Sequence, residues 1–383
     1  MNDNPHIPSG YKPSPLGIIP EDWEVKRLGE ICTHFKSGNT ITSKEITDEG
    51  LYPVYGGNGL RGYSNNYTHE GNYILIGRQG ALCGNINYVE GKNYISEHAI
   101  AVQTNENMQW LKYKLENWNL NRFSESSAQP GLSIEKLVRY KLSVPTLKEQ
   151  NKIAEILSLW DTAIAKQTAL TEQLTLRKRG LIQQLLTGKK RLKGFEGGTF
   201  HRLGNYISEC NRRNNGCKRV LSVTNTRGFI LQEEQFDKIV ASNDTSNYKV
   251  VRRGEFAYNP SRVNVGSLAM LNEYDEGILS PMYIVFKANE NIDKSYLLQC
   301  LQSWWFRGHI PAYTQGSVRD SLSFDGLCSM KFYIPTLQEQ KAISAILEQA
   351  DKEIEIQKQK LAAMQEQKKG LMQVLLTEKK RIK

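Results

Sequence analysis

The stretch PTLKEQNKIAEIL at residues 145–157 is answered by PTLQEQKAISAIL at residues 335–347. The two copies stand about 190 residues apart in a chain of 383. Laid over one another without a gap, residues 145–193 and 335–383 agree at about 22 of 49 positions, which is duplication and not chance. They close on GLIQQLLTGKKRLK and GLMQVLLTEKKRIK. After its opening proline neither copy contains another, and both are rich in Gln, Glu, Lys, Leu and Ala. Such residues lose little side-chain freedom in a helix, so each copy predicts one long helix.

Apolar positions recur alternately every three and four residues, the signature of a heptad seam. In the first copy the seam runs Ile153, Leu157, Trp160, Ile164, Gln167, Thr171, Leu174, Lys178, Leu181, Leu185. In the second it runs Ile343, Leu347, Ala350, Ile354, Gln357, Leu361, Met364, Lys368, Leu371, Leu375. An antiparallel pairing that uses every layer sets Ile153 against Leu375, Leu157 against Leu371, Ile164 against Met364, Leu174 against Ile354 and Leu181 against Leu347. It places the Lys368 ammonium over the Trp160 indole. It lays the Lys178 stem along Ala350 with the charge in water. The terminal KKRLK and KKRIK runs suit either a helix C-terminus or a phosphate contact.

Outside the helices a weaker echo persists. GNYILIGRQGALCGNINYVEG from Gly71 and GEFAYNPSRVNVGSLAMLNEY from Gly254 both read as short strands with glycine-bearing turns. Each leads to an amphipathic helix candidate, MQWLKYKLENW and DKSYLLQCLQSWW. Entry signals VKRLGEI and FHRLGNYI also match, as do the exits GLSIEKLVRYKLSVP and DSLSFDGLCSMKFYIP. The chain therefore divides into two related mixed α/β regions, residues 1–144 and 194–334, each followed by a helix, residues 145–193 and 335–383. The frame stayed alike while the loops diverged, as two readers of different targets would.

Composition is that of an ordinary globular chain, with 39% hydrophobic and 23% charged residues. The net charge of +10 points to a polyanion, but it is unevenly placed. Residues 1–144 carry about −1 and residues 194–334 about +2, against about +6 and +3 for the two repeated segments. No apolar run is long enough to span a membrane, and the N-terminus lacks the basic start and apolar run of a secretory signal. Cys32, Cys83, Cys210, Cys217, Cys300 and Cys328 form no CxxC pair. Reduced thiols in a cytoplasmic protein are expected.

The loops are polar, uncharged and dotted with arginine. Arg, Asn and Gln can make paired hydrogen bonds to guanine and adenine edges, and glycine lets a loop approach a groove. The candidate base- or backbone-contacting residues are Asn58, Arg61, Arg78 and Gln79 in the first region. In the second they are Arg212, Arg213, Asn225, Arg227, Asn259, Arg262, Gln315 and Arg319. Ordinary turn chemistry explains the same Asn and Gly residues if no ligand is read. YGGNG and GRQG are not phosphate-binding loops, because no GK[ST] follows. YNPSR is similar to the NPPY-type motif of amino-methyltransferases but lacks its second proline and stacking aromatic. The six histidines show no metal-ligand spacing, and no nucleophile or acid–base pair stands out.

Two variable regions, each followed by a helix opening P-x-L-x-E-Q and closing LLT-x-KKR, resemble the specificity subunit of type I restriction–modification enzymes. The opening GYKPSPLGIIPEDWEVKRLGEI at Gly10 resembles that family's entry to its first region. The resemblance implies two target-recognition domains, each reading one half of a bipartite site in double-stranded DNA. It implies two long antiparallel helices in a pseudo-two-fold frame that carry two modification subunits. It implies no cofactor in this chain: S-adenosylmethionine, ATP and Mg would be used by modification and restriction subunits. The alternatives are a coiled-coil scaffold with two protein- or ligand-binding modules, and a self-sufficient methyltransferase or nuclease. The second would need a cofactor loop that this sequence does not contain.

Overall fold

The computed structural model describes residues 7–80, 82–124, 131–235, 244–314 and 321–377. It divides into two compact units, one of Met1–Thr168 with Gln359–Lys383, the other of Ala169–Lys358. Both long helices form, at Leu147–Leu185 and Leu337–Leu375, 39 residues each, or about 58 Å at 1.5 Å per residue. Each unit holds one globular region with part of both helices.

In the first unit the globular region opens and closes on one ribbon. Glu24–Arg27 pairs antiparallel with Lys141–Val144, Glu24 opposite Val144, so the chain leaves straight into the helix head at Pro145. Fully buried Leu28 pins this ribbon, its N–H donating to the Tyr140 carbonyl at 2.8 Å. Between lies an antiparallel sheet in the order Cys32–Ser37, Ala99–Thr104, Tyr73–Gly77, Ile86–Val89. Strand side chains alternate faces. Ile74, Ile76, Ile100 and Val102 join the core built with the helix Met108–Trp118 and the two long helices. Tyr73, Leu75, Ala99 and Ala101 face a second cluster with Ile95 and Tyr55, from the sheet Gly59–Ser64, Tyr52–Gly56, Lys92–Ile95, His69–Glu70.

The second unit repeats the plan. Thr199–Arg202 pairs with Lys331–Ile334, and buried Leu203 donates its N–H to the Met330 carbonyl at 2.9 Å. Its main sheet runs Ile207–Glu209, Ile284–Ala288, Phe256–Tyr258, Leu268–Met270, matching the order in the first unit. Instead of a second four-stranded sheet it has two ribbons, Leu221–Thr224 with Gly228–Leu231 and Lys249–Arg252 with Glu276–Leu279. The expected helix over DKSYLLQCLQSWW is broken. It ends at Gln302, because Ser303 turns extended and caps a new helix, Trp304–His309, by accepting from the Phe306 N–H at 3.2 Å. Serine prefers that role to a helix interior, and apolar periodicity does not register it.

The repeated P-T-L-x-E-Q head performs the same task in each unit. Thr146 and Thr336 cap the long helices. Buried Gln150 and Gln340 each donate from Nε2 to the carbonyl of their own proline at 2.9 Å. Their Oε1 atoms accept from the backbone N–H that opens the neighbouring short helix, Asn107 at 2.9 Å and Asp293 at 2.7 Å. Buried Glu149 accepts from the Trp23 indole at 2.8 Å. Its counterpart Glu339 is held by Arg191 through Nε at 2.9 Å and Nη2 at 2.5 Å. Arg191 belongs to the KKRLK run, so this cation serves neither the helix C-terminus nor a phosphate. The helix has already stopped: Gly188 is left-handed at φ +72°, with Tyr333 ring carbons 2.7 Å from where a Cβ would stand. Arg381, the matching residue, lies outside the described residues.

Within each unit the ends of the two long helices share a core. In the first unit Ile153 and Leu157 share a core with Leu371 and Leu375. In the second, Leu181 and Leu185 share one with Ile343 and Leu347. Gln167, Thr171 and Ile354 are buried in the seam, while Trp160, Ile164, Leu174 and Met364 are half-buried. Two details differ from expectation. The Lys368 ammonium binds the Asp161 carboxylate at 2.5 Å and lies 5.0 Å from the centre of the Tyr113 ring, so Trp160 is not its partner. Lys178 likewise binds Asp351 and does not extend to water. A carboxylate one residue along the helix attracts an ammonium more strongly than a ring face or solvent does. Asp161 with Asp351, and Lys178 with Lys368, are identities between the copies, so one interhelical ion pair is encoded twice. Burial raises the Asp161 pKa, but hydrogen bonds from Lys368 and Tyr113 outweigh it and leave the carboxyl below its usual range. Leu157→Ala, at a fully buried seam position, should cost about 2–5 kcal/mol in denaturant unfolding. Leu159→Ala, at a position 63% exposed, should stay within about 0.5 kcal/mol.

Candidate nucleic-acid interface

In the first unit the YGGNG hairpin presses onto the end of a central strand. A Cβ on Gly57 would stand 2.8 Å from the His98 carbonyl and 3.3 Å from Gly77 Cα, so only glycine permits this approach. Arg78 and Gln79 emerge there. The Arg78 backbone is fixed by His98 at 2.8 Å and Leu132 at 2.9 Å, and its guanidinium donates to Ser37 Oγ at 3.0 Å. Gln79 Oε1 meets His98 Nδ1 at 3.2 Å. Asn58 is exposed at the hairpin tip. Arg61 is exposed, its stem against Gly56, and its guanidinium bonds to none of the described residues. The fold thus gathers Asn58, Arg78 and Gln79 around one turn and adds Ser37 and His98, neither of them among the candidate residues. One of six histidines without metal-ligand spacing, His98 carries no local signal in the sequence. Its nearness to Gln79 is set by strand pairing, which local pattern does not encode.

In the second unit Asn225, Arg227, Asn259 and Arg262 line one cleft of about 550 Å³. Asn225 and Arg227 sit on the tight turn of a hairpin whose Thr224 hydroxyl accepts from the Arg227 N–H at 3.0 Å and donates to the Gly228 carbonyl at 3.2 Å. Asn259 orders the next turn, accepting from the Ser261 N–H at 3.1 Å and, through its carbonyl, from the Arg262 N–H at 3.0 Å. That turn presents Arg262, which is exposed and has no side-chain partner among the described residues. Among the described residues the Arg227 side chain has one distant pairing, with Glu234 at 3.9 Å.

Two other candidates are engaged internally. Arg212 pairs with Glu255, which is largely buried and also accepts from the Arg252 N–H at 2.9 Å. Arg213 donates to the Asn247 carbonyl at 2.5 Å. Gln315 and Arg319 lie outside the described residues. Among the described residues no cluster of His, Cys, Asp and Glu could hold a metal ion, and no helix is long and apolar enough to cross a membrane. Burial pushes the Cys32 and Cys300 thiols up to about 12, so both stay neutral and serve packing.

The description "Type I restriction modification DNA specificity domain" matches this chain twice, over residues 20–176 and 204–366. The chain belongs to the type I restriction–modification specificity family. It is 42% identical over 161 residues, 40% of each chain, to the EcoprrI specificity subunit of Escherichia coli. It is 26% identical to the MjaVIII specificity subunit of Methanocaldococcus jannaschii over 95% of this chain and 94% of that one. Its fold is similar to the type I restriction–modification S subunit from M. genitalium, with TM-score 0.62 at 14% identity over 93% and 96% of the two chains. A chain of a type I R-M system, from a structure concerned with complex assembly and conformational transition, gives TM-score 0.58 at 13% identity over 94% and 99%. As a specificity subunit with two target-recognition domains, the chain places each match across one globular region and into the helix that follows.

Within that frame the two classes of arginine separate by stability. Arg212→Ala takes the guanidinium from the largely buried Glu255 carboxylate, leaving it the Arg252 N–H, and should cost about 1–3 kcal/mol in unfolding experiments. Arg262→Ala removes no side-chain hydrogen bond or ion pair among the described residues and should change stability by less than about 0.5 kcal/mol.

Proposed function

We propose that this specificity subunit is the non-catalytic DNA reader of a type I complex that acts in the cytoplasm. Residues 194–334 read one half of a bipartite site and residues 1–144 read the other. The observation that carries this reading is the pairing of a common frame with different loops. Each unit displays an exposed guanidinium, unpartnered among the described residues, beside a glycine-bearing turn, Arg61 in one and Arg262 in the other. Arginine against guanine O6 and N7 is the commonest specific base contact. Near-neutral readers fit a complex in which other subunits supply much of the phosphate clamp, and the loops supply discrimination.

The long helices carry two modification subunits, which bind S-adenosylmethionine and methylate adenine. Restriction subunits add ATP- and Mg-dependent cleavage. Purified alone, the chain should transfer no methyl group from S-adenosylmethionine to DNA, and it should do so with its modification subunits. Turnover by the chain alone would contradict the reading.

Within the complex, Arg262→Ala should weaken binding by about 1–3 kcal/mol and relax one base position in one half-site. Arg61→Ala should act only on the other. Competition binding against single-base variants of the site separates the two. A uniform loss across all sequences would reassign the residue to a phosphate contact.

A further inference from the structure

The cleft of the second unit carries two side chains that its polar chemistry does not explain. Val265 is 57% exposed and Met282 is 61% exposed, and both line the cleft that holds Asn225, Arg227, Asn259 and Arg262. Val265 closes the same short turn that presents Arg262. Met282 lies on the loop between Glu276–Leu279 and Ile284–Ala288, with its Sδ 3.6 Å from Asn259 Nδ2. Asn259 therefore links the two loops, and one mouth displays a guanidinium without a partner among the described residues, two amides and two apolar tips. Neither tip completes a core, since each is more than half in water. A ligand held by the donors of this mouth would bring its own apolar groups within reach of these two tips. On the major-groove edge of DNA the apolar group is the C5 methyl of thymine. A methionine side chain is long and adaptable enough to follow it.

Resting on the reading of this unit as a DNA reader, we propose that Val265 and Met282 recognise the methyl group of a thymine in the half-site read by residues 194–334, beside the base contacted by Arg262. The test uses the complex of the full chain with its modification subunits and duplexes carrying its own site. Each thymine of both half-sites is replaced singly by uracil, which deletes only the methyl group. Arg262→Ala identifies which half-site belongs to this unit. One uracil in that half-site should weaken binding about fourfold, the equivalent of about 0.8 kcal/mol for one buried methyl group. Met282→Ala or Val265→Ala should abolish the difference between thymine and uracil at that position only. Both positions are exposed, so unfolding curves of the variants should overlay those of the parent.

The proposal is overturned if specific binding persists and no uracil in that half-site matters. It is also overturned if the uracil effect survives unchanged in both variants, or if the variants weaken all duplexes equally. A parent complex that cannot tell its site from unrelated DNA would overturn the reading of the unit as a DNA reader, and the thymine assignment with it. That outcome is distinct from the others because it is seen before any uracil is introduced.

Discussion

A buried glutamine at the head of each long helix holds three segments in place. Gln150 and Gln340 tie the proline that ends a globular region, the first turn of a long helix and the N-terminus of a short packing helix. Each side chain is enclosed, with both amide ends satisfied, so removing it would strand a backbone carbonyl and a backbone N–H away from water. The core that joins sheet to helices is assembled around this junction. The Asp161–Lys368 and Asp351–Lys178 pairs then link the two helices within each unit. Duplication explains why both devices occur twice, at the same positions of the repeat.

A rigid frame of this kind frees the loops. Strand order, entry ribbon and helix head are common to both units. The first unit fills the rest with a second four-stranded sheet, and the second unit with two ribbons and an open cleft. Arginine is used in two ways that composition cannot separate. Arg191 and Arg212 neutralise largely buried carboxylates, whereas Arg61 and Arg262 meet none among the described residues. Only the second kind keeps its donors available for a ligand, so net charge is a poor guide to where this family member recognises DNA.

Much of the architecture was legible because it is periodic. The heptad seam gave the two long helices, and the echo from Gly71 and Gly254 gave corresponding strands of the two sheets. What escaped depends on partners distant in sequence. Gln150 is an unremarkable helical residue until strand pairing brings Asn107 to it. Asp161 sits one residue off the seam, and only the short helix, through Tyr113, turns it into a hub. His98 reaches Gln79, and Arg212 reaches Glu255, through sheet contacts that no local spacing announces. The break at Ser303 was written locally, as a serine before two tryptophans, but apolar periodicity outweighed it. For the candidate site the residue types were readable, whereas their availability was not.

The central claim is that one frame carries two interchangeable readers. A chain in which residues 24–144 replace residues 199–334 tests it directly, because the entry ribbons pair in the same way in both units. Mapping adenine methylation across the genome of a host expressing this chain with its modification subunits reads the outcome. The account predicts a symmetric site made of two copies of the half-site read by the first region. A site that stays asymmetric and still contains the second half-site would contradict it.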